Sequence, residues 1–302
     1  MTKTARSLDS AEMGSNQKSN NGRERKSIQL RLIDEMTYEL IPLKNVHEQA
    51  EFLPQASTIS ITCSPAKDIE ATLELCEKFL SKGHNTIPHF AARMVESEEH
   101  VTRIVKRIET LGIETVFIIG GDADQRGPFN DAPGLLNSFL DKNPTIKTIG
   151  IGSYPDGHPS IPPEALSEAL IKKQEMIYES NLNGYMATQM CFETETISDW
   201  LENCRKSGVT LPCHLGVPGV VDMKKLINIS LRLGVGISTR YLKKNRKSVF
   251  KLLSPRGYNP NKLIAPISSR ADELNISGVH CFTFNAIDST VNWRTKAISR
   301  LI

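Results

Sequence analysis

Long apolar runs, an excess of one charge and paired cysteines are all missing from this chain of 302 residues. No run approaches the ~20 apolar residues of a membrane-spanning helix, so no membrane partner is expected. Its 37 basic and 34 acidic residues leave a formal charge of only +3, which predicts neither a nucleic-acid groove nor an anionic-membrane surface. The cysteines (Cys63, Cys76, Cys191, Cys204, Cys213, Cys281) are scattered without a C-x-x-C pair. Free thiols in a reducing cytoplasm are expected, not a disulfide framework or zinc cluster. There is no G-x-x-x-x-G-K-[ST] loop, and Gly150-Ile-Gly152 is followed by Ser-Tyr-Pro without the third glycine of a dinucleotide fingerprint. Histidines and carboxylates lack metal-site spacing, so no metal is expected. Residues 1–28 are polar, with no apolar core for a signal peptide, and read as a disordered leader before a domain over 29–302.

What is present is alternation. Short apolar, β-branched runs at 36–41, 57–63, 85–89, 115–120, 147–153, 185–190, 212–217 and 278–284 predict strands. Amphipathic stretches at 45–53, 68–82, 97–111, 131–140, 164–180, 194–207 and 222–233 predict helices. Their punctuation agrees: Asp68 and Ser97 stand before helices, and Gly83, Gly112 and Gly208 follow them. Eight strands alternating with helices point to an α/β fold, a (β/α)8 TIM barrel, with an open doubly wound sheet as the alternative. Residues 238–276 break the pattern and read as a helical insertion before the last strand. Its basic run Arg240–Lys247 is a solvated helix face or a phosphate or partner site.

In a barrel the functional groups stand at strand C-termini. The first strand ends in Tyr38-Glu39-Leu-Ile-Pro-Leu-Lys44. Glu39 among apolar neighbours suits a general acid, or else a structural carboxylate paired with Lys44 or an arginine. The fourth strand ends in Gly120-Gly121-Asp122, where a flat ligand could approach the backbone or Asp122 could cap the next helix. The other ends offer Thr62, His89, Tyr154 with His158 on a proline-stiffened loop, Gln189 followed by Phe192, and His280, Phe282 and Asn285. An amide such as Gln189 can read a heterocycle edge with a donor and an acceptor together. The set suits a flat, polar, heteroaromatic ligand.

These strand ends, in order, resemble the methylenetetrahydrofolate reductase family, as a divergent bacterial-type member comprising the catalytic barrel. Tyr38-Glu39-Leu-Ile-Pro-Leu-Lys44 is similar to the family's Phe-Glu-Phe-Phe-Pro-Pro-Lys, Ile61-Thr62 to its Val-Thr, and Pro88-His89 to its Pro-His. Gly121-Asp122 is similar to its Gly-Asp, Tyr154-Pro-Asp-Gly-His-Pro159 to its Tyr-Pro-x-x-His-Pro, and Thr188-Gln189-Met-Cys-Phe192 to its Thr-Gln-Phe-Phe-Phe. The resemblance implies an FAD-containing barrel that interconverts 5,10-methylenetetrahydrofolate and 5-methyltetrahydrofolate with NADH or NADPH. It makes Glu39 the acid and Asp122 the carboxylate near pterin and flavin. It places Gln189, Phe192, Met223 and Phe282 with the substrate, and Thr62, His89, Gly121, Asp122, Tyr154, His158 and Lys173 with FAD.

The sequence departs from the family at Gly120, where many members carry arginine, and at Met223 and Phe282, which replace aromatics expected near the substrate or nicotinamide. The partners implied are folate and a nicotinamide nucleotide, with homo-oligomerisation left open. The implied role is one-carbon metabolism feeding methionine biosynthesis in the cytoplasm, without the regulatory domain of eukaryotic members. The alternatives are the same fold oxidising 5-methyltetrahydrofolate in a demethylation pathway, and a noncatalytic folate- or flavin-binding subunit.

Overall fold

The computed structural model describes residues 22–221 and 258–302. Every predicted strand is there: β1 (Thr37–Leu40), β2 (Thr58–Ile61), β3 (Asn85–Ala91), β4 (Thr115–Ile119), β5 (Thr148–Ser153), β6 (Asn183–Thr188), β7 (Cys213–Pro218) and β8 (Ile276–Phe282). Each lies parallel to the next, and β8 pairs with β1 to close the barrel in sequence order. Closure decides against the open doubly wound sheet. β8 begins and ends two residues before its expected span 278–284, because Phe284 and Asn285 turn at φ 49° and 51°, outside any strand conformation.

The helices are α1 (residues 22–34), α2 (Val46–Ala50), α3 (Ile69–Leu80), α4 (Glu98–Thr110), α5 (Ala132–Leu140), α6 (Pro163–Glu179), α7 (Thr194–Lys206), α8 (Asn261–Ile267) and α9 (Ile287–Ile298). Their starts follow capping chemistry. Asp68 accepts the amide of Ala71 at 2.9 Å, Ser97 that of His100 at 3.2 Å, and Asp131 that of Gly134 at 2.8 Å.

Two helices were not foreseen. One is α9; the other is α1, which takes in residues 22–28 of the expected leader and buries Leu32 and Ile33. The described part of the expected 238–276 insertion is helical: α8 is followed by a 3₁₀ turn, Ser268–Arg270, whose Arg270 reaches Glu202 of α7 at 2.8 Å. The expected helix at 222–233, Met223 and the Arg240–Lys247 run lie outside the described residues.

Strand alternation produces two cores. Outward side chains such as Tyr38, Leu40, Ile59, Ile61, Ile118 and Ile151 pack under the helices in one continuous cluster. Inside the barrel a separate small cluster forms from Ile87, Phe117, Tyr185 and Ala187. Rings extend it: His89 stacks on Phe117 at 4.6 Å and Tyr185 on His214 at 4.2 Å. Glycine makes room for them, since a Cβ on Gly150 would sit 2.3 Å from the Phe117 ring. The interior is thus packed with rings below and carries polar groups toward the strand ends.

Candidate functional site

Glu39 points into the barrel because its neighbours Tyr38 and Leu40 point out. Its Oε2 lies 2.8 Å from Nε2 of His280 on the adjacent β8, and both residues are buried. The neighbours are therefore not the apolar set expected from Tyr38 and Leu40, nor is Lys44 the partner; the closure of β8 onto β1 supplies an imidazole. His89 enters from β3, its Nε2 2.5 Å from the hydroxyl of Ser60 on β2. Nitrogen or oxygen atoms of Glu39, His89 and His280 all lie within 4.8 Å of one another. The expectation of no metal rested on linear spacing, and the fold brings three ligand-type groups together from distant positions. His89, expected against the cofactor, is buried in this interior group. Burial, reinforced by nearby His280, holds its pKa well below the usual histidine range, so its ring is neutral at neutral pH.

Above this group the mouth is built from the fourth and fifth strand ends. Asp122 is exposed, and the cap of α5 is Asp131, so the helix-cap reading of Asp122 is excluded. Its charge acts on Tyr154 and His158, which meet edge to face at 5.3 Å. Burial raises the Tyr154 pKa, with Asp122 adding to the effect. Burial lowers that of His158; Asp122 opposes the shift and Arg93 adds to it. Gly121 adopts φ +83°, and a Cβ there would lie 2.8 Å from that of Ala91, so the turn itself demands glycine. At Gly120 and Gly152 an added Cβ would meet nothing nearer than 3.9 and 3.6 Å. The side-chain-free Gly152 position faces the Tyr154 hydroxyl and leaves room for a planar ring, whereas that of Gly120 faces the start of α5 at Asp131 and Ala132.

Lys173 of α6 is buried, with its amine donating to the Gly152 carbonyl at 3.3 Å. Desolvation lowers its pKa to about 8, partly opposed by Asp131. Thr62, half-buried, follows β2 directly and donates its amide to the Leu40 carbonyl at 3.0 Å. Gln189 is exposed just beyond β6, its Oε1 accepting the amide of Met190 at 2.9 Å. Phe282 ends β8 edge-on to His280 at 5.1 Å. Phe192 is buried against Tyr258, with ring centres 5.5 Å apart, and is a core residue rather than an open platform for substrate.

Ser60 and His214 of the interior were not named by the sequence reading, and His280 was named only as one of the strand-eight groups. Period-two alternation sets His280 and Phe282 on one face of β8, but only closure shows that this face meets Glu39.

A closed (β/α)8 barrel with a buried acid–imidazole pair beneath a glycine-floored mouth is the class of protein that fold and site define. The particular family follows from comparison: the model of the methylenetetrahydrofolate reductase family matches residues 42–291, and the chain belongs to that family. A probable methylenetetrahydrofolate reductase (NADPH) of Caenorhabditis elegans is 21% identical over 131 residues, 42% of this chain and 19% of that protein. The chain thus aligns with about a fifth of that curated relative. Among solved structures, an uncharacterized protein from Clostridium thermocellum that binds two copies of 5-methyl-5,6,7,8-tetrahydrofolic acid has a TM-score of 0.58 at 14% identity. That likeness, over 89% of this chain and 98% of the other, is one of fold. Among the described residues no helix is long and apolar enough to cross a membrane.

Proposed function

We propose that this chain is an FAD-dependent oxidoreductase interconverting 5,10-methylenetetrahydrofolate and 5-methyltetrahydrofolate at the expense of NADH or NADPH. The observation that carries it is the Glu39–His280 pair buried at the base of a mouth lined by Asp122, Tyr154 and His158. The folate bound to the Clostridium thermocellum protein agrees with the ligand class.

FAD, when bound, relays a hydride between the nicotinamide and the one-carbon unit of folate. Gly121, Gly152, Tyr154 and His158 would receive its ring, and Lys173 would face its anionic parts from behind β5. Opening the methylene bridge requires one proton on the folate nitrogen that leaves the ring. Glu39 supplies it, with Oε2 held by His280 and the proton departing from Oε1; in reverse the same oxygen accepts it. The proton on nitrogen and the hydride on the methylene carbon together complete the methyl product. Asp122 sets the charge beside the rings, and Gln189 and Phe282 line the approach of the pterin. His89 would act on the acid from within the barrel as a neutral imidazole.

The test is anaerobic turnover of FAD-loaded protein with 5,10-methylenetetrahydrofolate and NADH or NADPH, followed by mass spectrometry. 5-Methyltetrahydrofolate is the expected product. FAD-loaded protein that turns over folate in neither direction would overturn the reading.

A further inference from the structure

We infer that Glu39, His89 and His280 form a binding site for a divalent transition-metal ion of the zinc class. The inference rests on side-chain geometry and does not depend on the folate reaction, although the two share Glu39. Two imidazoles and one carboxylate from three strands, all buried, present ligand atoms within 4.8 Å of one another. That donor set, two histidines and one glutamate, matches zinc in kind and number when a fourth position is left open. With metal–ligand bonds of about 2.0–2.1 Å, tetrahedral ligand atoms stand about 3.3 Å apart. Glu39 and His280 start from 2.8 Å, so this pair opens slightly while His89 turns from Ser60 toward the centre. Such movements lie within side-chain rotation and leave the strands in register.

Two features set the character of the site. One proton occupies the hydrogen bond between His280 Nε2 and Glu39 Oε2, and the cation must replace it, releasing it to solvent. The Nδ1 of His280 has no hydrogen-bond partner among the described residues, whereas tightly held ligand histidines are anchored through their second nitrogen. The site is therefore an exchangeable one rather than a permanent structural centre. Because it takes the carboxylate, metal binding and proton donation by Glu39 exclude each other. Zinc should slow any folate step that uses this acid while sparing electron transfer from NADH to an artificial acceptor.

The test uses the intact chain, freed of metal and titrated with Co²⁺. One equivalent should produce visible d–d bands that Zn²⁺ abolishes. H89Q and H280Q, checked for folding by circular dichroism, should each weaken binding by at least the roughly 10–100-fold lost when even a supporting residue is changed. X-ray absorption on the zinc-loaded wild type keeps the proposal falsifiable if either variant misfolds. It should show only nitrogen and oxygen at about 2.0–2.1 Å, with imidazole scattering. Failure of the wild type to bind Co²⁺, undiminished binding by the folded variants, or sulfur at about 2.3 Å would each overturn the site. Metal binding without folate turnover would refute only the enzymatic reading, and turnover without metal binding only this one.

Discussion

Lys173 shows most clearly what the fold bears for its site. A buried ammonium whose pKa falls from 10.5 to about 8 destabilises the folded chain by roughly 3 kcal/mol while it remains charged. Below pH 8 both states hold the proton, so the penalty is complete. Between pH 8 and 10.5 the unfolded state holds more protons, and stability rises with pH. Lys173→Met, similar in length and without the charge, should be more stable than wild type by up to that amount at pH 7. The difference should shrink toward pH 10.5, as read by urea denaturation across the range. A difference independent of pH would mean that the Lys173 pKa is not lowered on folding, its burial being offset by a stronger pairing than the Gly152 contact. If the amine serves FAD, the same variant should also bind FAD more weakly in a fluorescence titration. At Asp122, exposed and acting through its charge on Tyr154 and His158, Asp122→Asn should raise the His158 pKa less than wild type does. NMR titration of that imidazole should find it protonating at lower pH in the variant.

Among the elements, β6 leaves no room for a side chain on β7 at Gly216, where a Cβ would fall 1.9 Å from the Thr188 carbonyl oxygen. Backbone on both sides cannot yield without parting the strands. Gly216→Ala should therefore cost at least about 3 kcal/mol, the upper end for overpacking, and expression and melting measurements should show it. The cost of Ile33→Ala in α1, a fully buried position, should be about 2–5 kcal/mol by denaturant titration. A loss under 0.5 kcal/mol, the range of ordinary surface changes, would mean that α1 is not part of the folded domain. The barrel elements were legible because apolar β-branched runs, N-caps and glycine stops agreed at each step. α1 was obscured because it begins in the polar end of the leader and buries only Leu32 and Ile33 beyond it. α9 was obscured because only Ile287, Thr290 and Ala297 of its twelve residues are buried, too sparse a stripe to stand out.

For the molecule as a whole, the eight strand ends draw positions far apart in sequence to one mouth. The residue types at that mouth could be read from the sequence one strand at a time. Their contacts could not: the Glu39–His280 bond spans 241 positions and exists only because β8 closes onto β1. The same convergence made Phe192 a core residue through Tyr258, a contact beyond the reach of local pattern. The account's central claim is that Glu39 is a proton donor to folate and not a support of the barrel. Stopped-flow comparison of Glu39→Gln with wild type, both loaded with FAD, tests it most directly. Gln keeps the size and a hydrogen bond to His280 but carries no transferable proton. The folate half-reaction should slow by roughly 10²–10⁴, the range of a lost general acid, while NADH-to-acceptor transfer keeps its rate. Equal slowing of both halves, or no slowing of the folate half, would contradict the account.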